Sequence, residues 1–332
     1  FFPFDLPVIT ERIVNIVNPK AIILIETELW PNFLRLAWRK KIPVMMMNGR
    51  ISGRSMRRYS LIKRFTTRML LQIRKFCMQS KIDRERIISM GAIPQRVVIT
   101  GNTKYDQTYA EVSEEERAKL RREFRFEGKG PIIVAGSTHG GEEEIVVRTF
   151  GKVLEKYPDA RLLLAVREIT RAASVRFMIK HQGYTVLRRS KMGTDEDDGK
   201  DAQIVILDTI GELGRLYSLA DVVFVGGSFV KVGGHNILEP AAHGKPVLVG
   251  PYMFNFQEIF ELLSQRGVCI MTPDEKSFET TLLDLLGNPE KMKKMGEAAL
   301  EVVHENQGAT ERNIASFEEL VKEYGIKLRE NA

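Results

Sequence analysis

The chain has 332 residues, of which 43% are hydrophobic and 28% are charged, and its net charge at pH 7 is +7. This length predicts about two domains with a buried core in each, and the composition excludes a disordered or fibrous chain. Cys77 and Cys269 lie far apart without a CxxC pair, which argues against a disulfide framework and a structural zinc site, and no apolar run approaches the ~18 residues of a membrane span.

The first third of the chain alternates short apolar runs with longer amphipathic stretches, a pattern typical of βα units in a parallel sheet. The predicted elements are a helix over 6–17, a strand over 21–25, a helix over 30–40, a strand over 44–47, a long basic helix over 54–73, a strand over 76–79, a helix over 84–90 and a strand over 97–100. We interpret the polar stretch that follows, 107–115, as a linker.

A second alternating series begins after this linker. Ser113 and Glu116 have the spacing of a capping box for a helix that ends near residue 124, and Thr209 with Glu212 has the same spacing. The other predicted elements are strands over 132–135, 162–166, 185–187, 204–207, 222–225 and 247–249, and helices over 142–157, 171–181, 212–219 and 237–243. The acidic segment 190–202 predicts a mobile loop. Two such sheets predict two domains, 1–110 and 111–332, that face a cleft.

The positive charge is concentrated in one segment. From Arg35 to Lys75 the sequence contains thirteen basic residues and no acidic one, so the rest of the chain is net negative. Such a segment suits a phosphorylated lipid, an acidic leaflet or a nucleic acid, although a charge run is often only a solvated helix face. The residues we expect to form a membrane- or acceptor-binding patch are Arg54, Arg57, Arg58, Lys63 and Arg64.

The strand over 132–135 leads into Gly136, Ser137 and Thr138 before a helix begins. Free backbone N–H groups at such a turn can bind an anion, and the positive end of the helix dipole favours it. Glycine can also be present in this turn only because the backbone conformation requires it, so the motif by itself is a weak signal for phosphate binding.

A longer glycine-rich segment, GGSFVKVGGHNILE, spans 226–239 directly after the strand over 222–225. Ligands bind beyond the carboxyl ends of strands in open parallel sheets. The bare backbone of Gly233 and Gly234 predicts close approach of a phosphate, and Glu239 has a carboxylate suited to ribose hydroxyls. A flexible loop is the alternative, and His235 is equally consistent with a ligand contact and with a capping role.

Several segments resemble the bacterial 3-deoxy-D-manno-octulosonic acid (Kdo) transferases of lipopolysaccharide assembly. The matching motifs, in family order, are ETELWPN at 26–32, NGRISGRS at 48–55, TGNTKYD at 100–106, GST at 136–138, GEL at 211–213, the segment from GGS to EP at 226–240, and NFQE at 255–258. They extend over nearly the whole chain.

The resemblance implies an α/β fold of the GT-B glycosyltransferase type, with two Rossmann-like, doubly wound parallel-sheet domains and an incomplete N-terminal domain. It implies transfer of Kdo from CMP-Kdo to a lipid A precursor (lipid IVA), with inversion and without a metal or other cofactor. The N-terminal domain would take the acceptor and the C-terminal domain the donor, with the last helix able to pack back on the N-terminal domain. The expected location is the cytoplasmic face of the inner membrane, with no nucleic-acid partner.

Site residues follow from the same resemblance. The residues implied to contact the nucleotide part of the donor are Ser137, Thr138, Arg167, Gly233, Gly234, Asn236 and Glu239. The residues implied to have a catalytic role are Glu28, Arg50 and Lys104. The charges of Lys104 and Arg167 suit a departing phosphate. Glu26 and Glu28 flank the end of a strand, so one of these carboxylates could instead cap the following helix.

The sequence departs from the family pattern at Glu168 and Tyr252, where histidine is usual, and at Ile237, where proline is common. The family also carries an N-terminal anchor and further βα elements ahead of the position of Phe1, with the glutamate that serves as general base. We therefore expect this chain to bind donor and to transfer sugar poorly.

Two other functions remain open at this level. One is a GT-B transferase with a UDP-sugar donor, because glycine-rich loops of this kind are shared across the fold. The other is a non-catalytic module whose basic segment binds RNA or an anionic surface. A thermal-shift comparison of CMP, UDP and poly-U would separate the three.

Overall fold

The computed structural model describes residues 4–107, 112–128, 130–194 and 201–327, and the side chains of Arg54 and Ser60 are outside that description. The chain forms two compact units, one from Phe1–Gln107 with Asn306–Ala332 and one from Thr108–Glu305. The first unit is thus built from both ends of the sequence. The expected linker at 107–115 and the expected mobile loop at 190–202 lie partly outside the described residues.

The first unit contains a parallel sheet with the strand order β1-β2-β3-β4. The strands are β1 (Ile22–Ile25), β2 (Val44–Gly49), β3 (Lys75–Met78) and β4 (Val97–Ile99), and the helices around them are α1 (Pro7–Val17), α2 (Pro31–Arg39), α3 (Gly53–Ser60), α4 (Lys63–Leu70) and α5 (Lys81–Ser89). Leu34, Met46 and Phe76 are fully buried in its core. These strands could be predicted from the sequence because strands such as β2 are runs of buried apolar residues.

The predicted long basic helix over 54–73 is wrong, because the structure has the two helices α3 and α4 in its place. Ile62 separates them with φ −118° and ψ 39°, outside the helical region. The Thr66 hydroxyl donates to the carbonyls of Tyr59 and Ile62, which satisfies backbone acceptors at the break. The break lets α4 bury Thr66, Met69 and Leu70.

The second unit contains a parallel sheet with the strand order β11-β10-β9-β5-β6-β8-β7. The strands are β5 (Ile132–Thr138), β6 (Arg161–Val166), β7 (Val186–Arg188), β8 (Ile204–Leu207), β9 (Val222–Val225), β10 (Val247–Val249) and β11 (Cys269–Met271). From β5 the chain builds the sheet outward through β6, and from β9 it builds outward in the opposite direction. The order therefore reverses between β5 and β9, which makes their carboxyl ends the topological switch point.

Helices cover both faces of this sheet, as in doubly wound folds. They are α6 (Glu114–Glu123), α7 (Glu142–Lys156), α8 (Ala172–His181), α9 (Leu213–Leu216), α10 (Leu238–Ala242), α11 (Gln257–Gln265), α12 (Glu275–Leu286) and α13 (Pro289–Glu305). Phe150, Phe224 and Phe278 are buried together with the central strands in the core. The predicted cap is confirmed at α6, where the Ser113 hydroxyl accepts from the Glu116 N–H at 3.1 Å.

Three predicted elements of the second unit differ from the structure. The helix over 212–219 is the short α9 followed by a 3-10 turn, and the Thr209 hydroxyl bonds the Glu212 carboxylate instead of capping the helix. The helix over 237–243 is only the five residues of α10. The strand over 132–135 continues through Gly136 to Thr138 with a register shift against β6, so the expected turn belongs to the strand.

The last helix, α14 (Ala309–Glu323), belongs to the first unit. Leu320 packs against Met45 and Cys77, which lie in β2 and β3. Asp106 accepts from the backbone N–H groups of Gly308, Ala309 and Thr310 at the start of the helix. None of the described helices is long and apolar enough to cross a membrane.

Candidate functional site

The strongest candidate site lies at the carboxyl ends of β5 and β9. Ser137, at the end of β5, has a left-handed φ of 57°. Gly226, just after β9, lies so close to it that a Cβ there would be 2.5 Å from the Ser137 carbonyl oxygen. Only glycine allows this approach, so the two loops that leave the switch point are in direct contact.

Glu142, the first residue of α7, holds these two loops together. Its side chain is fully buried. One carboxylate oxygen accepts from the N–H groups of His139 (2.9 Å) and Gly227 (2.7 Å), and the other accepts from Ser228 (3.0 Å) and Phe229 (2.8 Å). Four backbone donors compensate the cost of burying this charge. The sequence analysis did not identify Glu142, and no motif spacing would have.

The glycine loop is fixed by the same network. The N–H groups of Gly233 and Gly234 both donate to the Gly227 carbonyl, at 3.1 and 2.7 Å. Gly233 and Gly234 have φ values of 105° and 78°, which L side chains rarely adopt. The Asn255 side chain donates to the Val232 carbonyl at 2.9 Å, so the NFQE motif supports this loop.

The arrangement differs from the expected phosphate cradle of free backbone N–H groups. The donors of Gly227, Gly233 and Gly234 already have acceptors within the protein. The first turn of α7 carries Glu142, Glu143 and Glu144, which complement the helix dipole themselves. These three glycine N–H groups are therefore not available to an anion.

Asn236 and Glu239 form the far side of the glycine loop. The Asn236 amide donates to the Glu239 carboxylate at 3.2 Å, and its carbonyl accepts from the Leu238 N–H at 3.1 Å. Burial raises the pKa of Glu239 above its ordinary value, and the Asn236 hydrogen bond opposes that shift. The buried Tyr217 phenol has a raised pKa because of burial and the nearby Glu239. Asn236 and Glu239 thus offer hydrogen-bonding atoms in a partly buried position, which suits the recognition of ribose hydroxyls.

The remaining predicted donor contacts lie around the end of β5. Thr138 is fully buried, and its hydroxyl points to the Ala165 carbonyl at 3.4 Å. Arg167, at the end of β6, is exposed, and its N–H donates to the Thr138 carbonyl at 2.9 Å. His139 and His235 meet at the same place, with their Nε2 atoms 2.8 Å apart. The predicted residues from both loops thus converge at one edge of the sheet.

A second cluster lies in the first unit, at the carboxyl ends of its strands. Glu26 follows β1, Arg50 follows β2 and Lys104 follows β4. Burial lowers the pKa of the Lys104 ammonium below its ordinary value, Glu26 acts to raise it and Arg50 acts to lower it. The buried Asn48 accepts from the Thr103 N–H at 3.1 Å and so fixes the turn that carries Lys104.

Glu28 lies three residues beyond the end of β1. It is exposed and accepts from the Trp30 indole N–H at 2.8 Å. Neither Glu26 nor Glu28 caps α2, since Asp5 accepts from the N–H groups of Asn32 and Phe33, both at 2.9 Å. The alternative of a capping glutamate is therefore wrong, and the catalytic role implied for Glu28 stays a prediction.

The predicted basic patch lies on α3 and α4. Arg57, Arg58, Lys63 and Arg64 are all exposed, while the side chain of Arg54 is outside the described residues. Leu61 is 85% exposed at the break between the helices, and Phe65 is 52% exposed beside it. We call the surface formed by Arg57, Arg58, Leu61, Lys63, Arg64 and Phe65 the basic apolar surface. Charged and apolar groups are thus presented to solvent together.

Within the described part of the chain, no group of three or more histidine, cysteine, aspartate or glutamate side chains is arranged to hold a metal ion.

Comparison with protein families matches residues 1–107 to the family described as 3-deoxy-D-manno-octulosonic-acid transferase (kdotransferase), and residues 189–302 to the glycosyl transferases group 1. The chain is 37% identical to the 3-deoxy-D-manno-octulosonic acid transferase of Haemophilus influenzae, over 94% of this chain and 72% of that protein. It resembles the C-terminal CMP-Kdo binding domain of WaaA from Acinetobacter baumannii, with 27% identity and a TM-score of 0.51 over 57% of this chain and 96% of that domain.

A likeness over nearly the whole length comes from the MnaA–UDP structure of Staphylococcus aureus, with a TM-score of 0.60, 14% identity, and coverage of 98% of this chain and 82% of that one. This likeness shows the fold alone. Together with the two parallel sheets, it identifies the GT-B fold, and the family matches confirm the resemblance found in the sequence. The chain is a glycosyltransferase that belongs to the 3-deoxy-D-manno-octulosonic acid transferase family.

Proposed function

We propose that this protein transfers Kdo from CMP-Kdo to a lipid A precursor, lipid IVA, with inversion at the anomeric carbon and without a metal cofactor. Membership of the Kdo transferase family supports the transferred sugar. The observation that carries the donor assignment is the junction of the two loops at the switch point of the second unit, where Glu142 ties the end of β5 to the glycine loop.

The donor nucleotide binds at this junction. The glycine loop, Asn236 and Glu239 provide close backbone approach and acceptors for the ribose, and Arg167 provides positive charge for the phosphate. The similarity of this unit to a domain described as CMP-Kdo binding supports the cytidine nucleotide over other donors. Likeness to UDP-bound structures at 14% identity is too distant to favour UDP.

The acceptor binds to the first unit. Arg50 and Lys104 offer positive charge at the carboxyl ends of the strands, which suits the phosphates of a lipid A precursor. The basic apolar surface faces the anionic leaflet of the cytoplasmic side of the inner membrane, where such a precursor is presented. Positive charge at these positions stabilises the acceptor complex and the charge that develops during transfer.

Binding and transfer assays test this function. Calorimetry should show that the protein binds CMP more tightly than UDP, and that Glu239→Ala weakens CMP binding because a ribose acceptor is lost. Any Kdo-bearing product that forms from CMP-Kdo and lipid IVA should form equally well in the presence of a metal chelator. The control variant is Glu261→Ala, at an exposed position. The donor assignment would be refuted if the protein preferred UDP, or if Glu239→Ala and Glu261→Ala bound CMP equally well.

A further inference from the structure

His139 and His235 form a contact between ring nitrogens in the second unit. His139 directly follows β5, and His235 lies in the glycine loop after β9, so both are at the switch point. Their Nε2 atoms are 2.8 Å apart, and their rings are parallel with centroids 5.1 Å apart. The motifs that identified the family site did not assign a role to either histidine.

A contact of this length between two ring nitrogens requires one hydrogen between them. In the neutral pair, one Nε2 donates and the other accepts, so the donating ring has a bare Nδ1 and the accepting ring carries Nδ1–H. One added proton goes to the bare Nδ1. Both rings then carry an N–H on the nitrogen that is not used in the contact, and the pair becomes a cation with two donors.

Burial and the nearby charges disfavour protonation of His235 while no anion is bound. Burial, His139 and Arg167 lower the pKa of His235 to about 4. The carboxylate nearest along the chain, Glu142, is bound to the His139 backbone and to three further N–H groups, so its charge is already compensated. An anion bound beside Arg167 would place a negative charge near the His235 ring and would therefore raise the pKa of His235.

We propose that His139 and His235 are a proton-sharing receptor for the phosphate of the donor nucleotide, and that the pair takes one proton from solvent when the phosphate binds. This inference rests on the proposed function, since it requires a nucleotide at the switch point. It gives the phosphate side-chain donors at a place where the backbone N–H groups of Gly227, Gly233 and Gly234 are already occupied. The phosphate of CMP carries more negative charge than the phosphodiester of CMP-Kdo, so the charged pair also holds the released nucleotide.

The test uses the methyl ester of CMP, a phosphodiester that carries one negative charge throughout the pH range of interest. A free phosphate monoester titrates near pH 6 and would confuse the measurement. Calorimetry in buffers of different ionisation enthalpy then counts the protons that the protein takes up per ligand. We expect uptake of up to about one proton, with an affinity that falls by up to about tenfold per pH unit as the pH rises.

A double variant and two controls assign the proton. His139→Gln combined with His235→Gln should abolish the uptake, and His304→Gln, at an exposed histidine of α13, should retain it. Cytidine, which lacks the phosphate, should bind without uptake. Ester binding with no uptake and no pH dependence in the unmodified protein would overturn the receptor and leave the donor assignment standing. Failure of both the ester and cytidine to bind would refute the donor assignment and the receptor together.

Discussion

Glu142 shows how one side chain can organise a site that it does not itself present to a ligand. It is buried and accepts four backbone N–H groups from two loops. In Glu142→Gln, the amide NH₂ would face N–H donors that have lost their acceptor, and each orphaned donor costs about 1–3 kcal/mol. We expect the free energy of unfolding to fall by at least about 2 kcal/mol, and CMP affinity to fall with it. Chemical denaturation and calorimetry measure the two effects.

Glu155→Gln is the matched control for this prediction. Glu155 lies on the same helix, is exposed and pairs with Lys152 on the surface. Exposed pairs contribute about 0–1 kcal/mol, so this variant should be close to the unmodified protein in stability and in CMP affinity. If the two variants behave alike, Glu142 does not organise the loops.

At the scale of elements, Asp106 ties α14 to the end of the sheet in the first unit. Partial burial acts to raise its pKa, but hydrogen bonds from Thr310, Gly308 and Ala309 lower it below the ordinary value of 3.8. Asp106→Ala should destabilise the first unit by about 1–2 kcal/mol, as for other lost helix caps. Thermal denaturation near neutral pH measures the loss.

The charge of Asp106 makes a separate, pH-dependent contribution. Because its folded-state pKa is lowered, its stabilisation is complete above the unfolded-state pKa and is lost as the pH falls through the folded-state pKa. Asp106→Asn keeps a capping group without the charge, so its deficit in melting temperature should shrink as the solution is acidified below about pH 4. Asp159→Asn, at an exposed position, should show no such trend. A deficit for Asp106→Asn that is constant with pH would contradict the assignment.

The basic apolar surface makes a prediction about lipid binding. Arg57→Gln with Arg58→Gln should weaken binding to anionic vesicles by about 2 kcal/mol, because each basic residue contributes about 1 kcal/mol near an acidic leaflet. Binding of the unmodified protein should fall with salt, because screening shortens the range of these charges. Vesicle co-sedimentation over a salt series measures both effects.

Two controls separate the contributions to this binding. Lys293→Gln with Lys294→Gln removes the same charge from exposed positions on α13 and should have no effect. Leu61→Ser should leave the salt dependence intact and remove the part of the binding that persists at high salt, since Leu61 is the most exposed apolar side chain of the surface. Binding that does not respond to salt would show that the basic residues are only solvated.

Sequence periodicity predicted the buried strands well and the short helices poorly. The strands β8, β9 and β10 have the expected bounds because each is a continuous apolar run between turn residues. The sequence does not indicate the break at Ile62, because the basic and apolar periodicity continues across it. The break is stabilised by a hydrogen bond from the Thr66 hydroxyl to the Tyr59 carbonyl, seven residues earlier in the chain. The periodicity of polar and apolar residues does not predict such a hydrogen bond.

At the scale of the whole molecule, motifs located the site and long-range hydrogen bonds determined its chemistry. The glycine loop and the end of β5 were both predicted, since each follows a recognisable strand. Glu142 and the pair of His139 with His235 were not, because Gly227 is 85 residues from Glu142 and His235 is 96 residues from His139 along the chain. For the same reason the sequence does not indicate the proximity of Glu26 to Lys104, which arises only when the strands of the first unit are assembled in one sheet.

The two cysteines allow the two units to be followed separately in one molecule. Cys77 is fully buried in the first unit next to Leu320 of α14, and Cys269 is buried in β11 of the second unit. Burial raises the pKa of both thiols, so both should resist alkylation in the folded protein. Each thiol therefore reports the opening of its own unit.

Deletion of Asn306–Ala332 should separate the stabilities of the units. Loss of α14 removes Leu320 from the cluster with Met45 and Cys77, and it removes the bond from Arg312 to the Thr100 carbonyl. Alkylation followed by mass spectrometry should then find Cys77 modified much faster, while Cys269 stays protected and CMP still binds. Leu320→Ala, with an expected cost of about 2–5 kcal/mol, should show the same bias in milder form. Equal acceleration at both cysteines would mean that the units unfold together, and a protected Cys77 would mean that α14 does not cover the sheet.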